Sequence, residues 1–126
     1  YLDMAEKIYN FIFNTPNLPE DLVPYWDFDA PNIPNEPRDA SAAACTASAL
    51  YELSTYIPGK NYKETADKIM ESLGSPAYRA EVGTNGNFIL MHSVGSIPHG
   101  AEIDVPLNYA DYYFLEGIMR KRDLEK

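Results

Sequence analysis

Cysteine is nearly absent from this chain: Cys45 stands alone. An internal disulfide is therefore excluded, as is a zinc site built on paired cysteines. Positive charge is scarce too. Ten Lys and Arg face nineteen Asp and Glu, for a net charge of -9. A nucleic-acid partner would need clustered cations to neutralise phosphates. The one basic run, Arg120-Lys121-Arg122, closes a helical pattern, where it complements the helix dipole. No apolar run approaches the roughly 20 residues of a membrane-spanning helix, and no secretory leader pattern is visible. The two histidines, His92 and His99, match no zinc-ligand signature, so no metal or other cofactor is expected.

What is present is helical periodicity broken by proline. The length of 126 residues suits one compact unit. Leu2, Ala5, Ile8, Tyr9 and Ile12 recur at helical spacing and predict a helix that ends before Pro16. Tyr1 lies at the edge of this pattern, already under way, which points to a piece of a longer chain. Asp39 is a good N-cap for a second helix, Ala40 to Ile57, made mostly of small residues. Cys45, among alanines, reads as a small core residue. Asn61 and Glu64 resemble a capping box for a third helix, Tyr62 to Leu73. Asn85-Gly86 is a turn signal, with Phe88 to Met91 as one short strand and Arg79 to Val82 as its partner. Pro106 opens a last helix with Leu107, Ala110, Phe114, Leu115 and Ile118 on its buried face. The tail from Lys121 is expected to fray. The elements add to an all-α fold of about four helices plus a small β-hairpin. Helices joined alternately by long and short loops are what an α/α toroid shows, with the long loops gathered at one rim.

Two loops carry the candidate chemistry. The first is Tyr25-Trp26-Asp27-Phe28-Asp29, bracketed by Pro24, Pro31, Pro34 and Pro37, which lower the entropy cost of fixing its shape. In an extended conformation Trp26 and Phe28 face one way and Asp27 and Asp29 the other. Two carboxylates on one side can bind a cation, accept sugar hydroxyls or act as an acid/base pair. They can equally cap backbone groups. The second loop, His92 to Gly100, is dense in small and hydrogen-bonding residues. It suits a polar ligand or plain loop structure better than a nucleophile, because neither serine sits in a nucleophile elbow. The candidate ligand-binding residues are Tyr25, Trp26, Asp27, Asp29, His92, Ser93 and Ser96.

The runs PYWDFDAP, RDASAAACTASALYEL, HSVGSIP and DVPLNYADYYFLEGIMR resemble the C-terminal part of the unsaturated glucuronyl hydrolases, glycoside hydrolase family 88. The resemblance extends from about Leu2 to Arg120. It implies that residues 1-126 form a C-terminal portion of an (α/α)6 barrel. It implies bacterial degradation of uronate oligosaccharides left by polysaccharide lyases. In that chemistry an acid protonates C4 of the C4=C5 double bond and water adds at C5. The hemiketal then collapses and the aglycone leaves, unlike displacement at the anomeric carbon. The family's catalytic aspartates match no position here, so no catalytic residue is assigned and the chain alone is expected to be inactive. Ser93 and Ser96 keep the spacing of a Ser-x-x-Ser-x-Lys pattern that holds an anionic group in some members, but Pro98 stands where the lysine would be. The implied partner is an unsaturated uronate oligosaccharide. Self-association through exposed barrel flanks is a further expectation. The rival readings are an unsaturated rhamnogalacturonyl hydrolase and a non-catalytic carbohydrate-binding fragment.

Overall fold

The computed structural model describes all 126 residues, Tyr1–Lys126. Four helices appear where periodicity predicts them: α1 (Leu2–Asn14), α2 (Ala40–Tyr56), α3 (Tyr62–Gly74) and α4 (Asn108–Leu124). The antiparallel hairpin of β1 (Ser93–Ser96) and β2 (Ala101–Val105) precedes α4. No helix is long and apolar enough to cross a membrane.

Helix α2 is the centre of the arrangement. Ala40, Ala43, Ala44, Ala47, Leu50, Tyr51 and Leu53 are all buried on it. Alanine is the strongest helix former and adds almost no bulk, so α3 and α4 can both lie close to it. Ile69, Leu73 and Ala66 of α3 and Phe114 and Ala110 of α4 complete the same apolar cluster. Gly117 of α4 is also buried, although a mid-helix glycine costs stability. A Cβ there would come within 3.2 Å of the Met70 Sδ and 3.9 Å of the Ser48 backbone N. Glycine leaves room there for the Met70 side chain of α3, while the α2 backbone lies at ordinary contact distance. Helix α1 has no fully buried residue. It leans on α3 through Tyr9, whose ring meets Tyr62 edge-on at 4.8 Å, and through the Tyr62 hydroxyl, which donates to Glu6 at 2.8 Å.

Several local expectations change. The hairpin forms one segment later than the turn signal suggests. Asn85–Asn87 is a short 3-10 turn, and the predicted strands reduce to one isolated bridge between Arg79 and Leu90. The Asp111 carboxylate takes the Ile89 and Leu90 N–H groups at 2.8 and 2.9 Å, so those donors turn to a side chain rather than a strand. Asn61 makes no side-chain cap bond. Helix α4 begins two residues after Pro106, and Leu115 and Ile118 are exposed on it. Cys45 is exposed rather than in the core: it lies at the edge of α2, between the groove beside α1 and a surface pocket shared with Tyr112, Tyr113 and Glu116 of α4. The expected frayed tail is helical as far as Leu124. There, Lys121 pairs with Asp67 of α3 at 2.9 Å, and Arg120 donates to the Ser48 carbonyl at 2.8 Å.

Two outcomes follow for stability. Gly117→Val should lower the free energy of urea unfolding by about 1–3 kcal/mol, the usual cost of overpacking; an unchanged midpoint would mean that the Met70 side chain moves aside at no cost. Burial opposes the charge on Asp67, but hydrogen bonds from Lys121, Lys63 and Tyr51 outweigh it and hold its pKa at about 2, below the ordinary 3.8. A folded-state pKa below the unfolded one adds stability above the unfolded value, and that stability is lost as pH falls. Stability should therefore drop from about pH 4 towards pH 2, and Asp67→Asn should flatten that slope in urea titrations at successive pH values.

Candidate functional site

The two long connections meet at the N-terminus of α2. Asp39 caps that helix: its carboxylate accepts from the Ser41 N–H at 3.0 Å and the Ser41 hydroxyl at 2.6 Å. The same oxygen accepts from the Val94 N–H of β1 at 3.3 Å. Next to it, the Ala40 N–H donates to the His92 carbonyl at 2.9 Å. One helix end therefore fixes both the segment after α1 and the segment before α4. A second tie lies beside it. Arg38 makes a bidentate pair with Asp21 at 3.0–3.1 Å, donates to the Val23 carbonyl, and lies over the Tyr25 ring at 4.9 Å. Tyr78, from the other segment, donates its hydroxyl to the same Asp21 at 2.7 Å. Its ring meets His92 edge-on at 6.2 Å. Burial first, then the bond to Asp21, pushes the Tyr78 hydroxyl pKa well above its usual value, so this tie is insensitive to pH near neutrality.

The seven candidate residues lie on these two segments by sequence, and the structure gives them unequal roles. Trp26 is half-buried, and its indole N–H donates to Glu36 at 2.8 Å. That bond holds the Glu36 carboxyl below the usual carboxylate range. Glu36 also accepts the Asn32 N–H at 3.0 Å, so it braces the proline-rich crossing and the tryptophan together. The loop is not extended. Asp27 accepts the Asp29 N–H at 2.7 Å in an Asx turn, so the alternating two-faced arrangement of aromatics and carboxylates does not form. Asp27 and Asp29 are both exposed. Tyr25 bridges to Arg38 across the loop's neck.

In the second segment, His92 adopts a left-handed backbone (φ 62) and its Nδ1 lies 2.6 Å from an Asp104 carboxylate oxygen. Ser96 and His99 pair at 2.7 Å at the hairpin tip. Gly95 has no room for a side chain: a Cβ would lie 2.0 Å from a Glu102 carboxylate oxygen. Ser93 is fully buried and its hydroxyl has no hydrogen-bond partner, so it backs the hairpin rather than facing outward. Tyr109, in the first turn of α4, is exposed, and its hydroxyl pKa is raised by partial burial and then by the Glu102 and Asp39 carboxylates. The β2, α2 and α4 ends thus converge. No group of three or more His, Cys, Asp or Glu side chains is arranged to hold a metal ion. Asp21, Glu36, Asp104 and Asp111 were not singled out from the sequence. Beside local bonds to Val23 and Asn32, they hold partners that lie 10 to 57 residues away, and no local spacing marks such bonds.

Asp39→Ala should lower stability by about 0.5–2 kcal/mol, as for other lost N-caps. It should also speed amide exchange at Val94, a coupling that an isolated capping role would not produce.

No family model matches the chain. Among curated proteins it is 50% identical, over 98% of its own length and 31% of the relative's, to an unsaturated glucuronyl hydrolase of Formosa agariphila. Among solved structures, an unsaturated glucuronyl hydrolase specific for heparin superimposes with a TM-score of 0.95 at 49% identity, over 98% of this chain and 34% of that one. A variant of the Streptococcus agalactiae unsaturated glucuronyl hydrolase, solved with dGlcA-GalNAc6S, aligns with a TM-score of 0.77 at 28% identity, over 96% of this chain and 35% of that one. The chain thus spans about a third of the length of its relatives. The four helices and the hairpin are a partial (α/α)6 barrel, and in sequence and backbone the chain is similar to about a third of an unsaturated glucuronyl hydrolase.

Proposed function

We propose that this chain is a C-terminal portion of a hydrolase that hydrates the C4=C5 double bond of terminal unsaturated uronates in lyase-generated oligosaccharides, and that its two rim segments form a wall of the substrate site. The observation that carries this reading is the shared anchor at Asp39 and Ala40, which holds the Trp26 segment and the His92–Ser96 segment side by side. The similar Streptococcus enzyme, solved with an unsaturated disaccharide, supports an oligosaccharide ligand. Trp26 and Tyr25 offer aromatic faces, and His92, Ser96, Asp27 and Asp29 offer polar contacts for sugar hydroxyls; Ser93 supports the hairpin from behind.

The proton donor is placed outside these residues. An acid that keeps its proton near neutral pH needs a water-poor setting. Asp27 and Asp29 are exposed, and Asp27 already accepts a backbone bond. The chain alone should therefore leave an unsaturated chondroitin or hyaluronan disaccharide unchanged, with no loss of the double bond's ultraviolet absorbance. A chimera carrying this chain in place of the matching third of the Formosa agariphila enzyme should remove that absorbance. Trp26→Ala in the chimera should lower kcat/KM by about tenfold, matching roughly 1.4 kcal/mol of lost aromatic contact. Turnover by the chain alone would place the acid here and overturn the assignment.

A further inference from the structure

Helix α1 carries apolar side chains that nothing covers: Ile8 is 52% exposed and Met4 57%. Between α1 and α2 runs a groove of about 460 Å³, lined almost wholly by apolar residues that include Ile8, Ile12, Cys45, Ala49 and Tyr56. On the other flank, Leu115, Ile118 and Met119 of α4 are exposed. Exposed apolar surface of this extent marks an interface. The α2 side of the groove presents Cys45 and Ala49, side chains small enough to let another helix approach closely. The other sides of α2 are already taken by α3, α4 and the hairpin. A second copy would bring another net charge of -9 against the first, whereas about two thirds of the relatives' length has no counterpart here.

We propose that the α1–α2 groove and the outward face of α4 are the two seams at which this arc receives the remaining helices of the toroid, and that it receives them even when they are supplied as a separate polypeptide. This rests on the reading above, but its test is separable from it. The 126-residue chain is co-expressed with the part of the Formosa agariphila enzyme outside the matched third. The two polypeptides should co-purify in equal amounts. Cys45 should react with a maleimide in the chain alone and lose that reactivity in the complex. Ala49→Asp in the groove and, separately, Met119→Asp on α4 should each abolish co-purification while circular dichroism of the chain stays helical. Failure to associate, a Cys45 that stays reactive, or a homo-oligomer that persists despite co-expression would overturn the proposal. Association without loss of the double bond would uphold the seams and count against the proposed activity. An active covalent chimera with no association of the separate parts would do the reverse.

Discussion

The fold depends on how closely α3 and α4 can approach α2. That distance is set by side-chain volume. Six of the buried positions on α2 are alanine or serine near its middle and start (Ala40, Ser41, Ala43, Ala44, Ala47 and Ser48), and Gly117 is buried on α4. Backbones this close place polar groups within reach across the interface. The Ser48 hydroxyl donates to Glu116, and Arg120 donates to the Ser48 carbonyl while pairing with Glu52 at 2.7 Å. A bulkier helix would separate these groups and leave them competing with water, where exposed pairs contribute little. The packing and the interhelical hydrogen bonds are consequences of one choice of residue size.

That rigid centre has an active end. The N-terminus of α2 has backbone donors without helical partners, and Asp39 satisfies them while its carboxylate also holds β1. One residue so links helix stability to the placement of the hairpin. Around it, bonds to Asp21, Glu36 and Asp104 position aromatic and imidazole rings that the loops alone would leave free. These part-buried and exposed bonds restrict the orientations that the rings can take. The cost is visible in the backbone, where His92, Glu102 and Asp104 all occupy left-handed conformations that non-glycine residues rarely adopt.

The flanks show the opposite pattern. Leu115 and Ile118 sit at helical spacing that reads as core, and Cys45 stands among alanines, yet all three are exposed. Amphipathic periodicity records which face is apolar, not which neighbour covers it. The chain spans about a third of the length of its relatives, and those faces are the ones proposed above to receive the remaining helices.

Periodicity and capping chemistry were sufficient, by themselves, for the four helices, the Asp39 cap and the small-residue centre, because each depends on residues within one or two turns. The resemblance of four short runs carried the family. Tertiary structure alone decided the rest. It turned Ile89 and Leu90 away from a strand by giving their N–H groups to Asp111, 21 and 22 residues on. It folded Asp27 back on its own loop, and it buried Ser93 beneath the hairpin. The capping by Asp27 was one of the two readings that the loop's composition left open; the other outcomes were set by long-range contacts, which leave no trace in residue spacing.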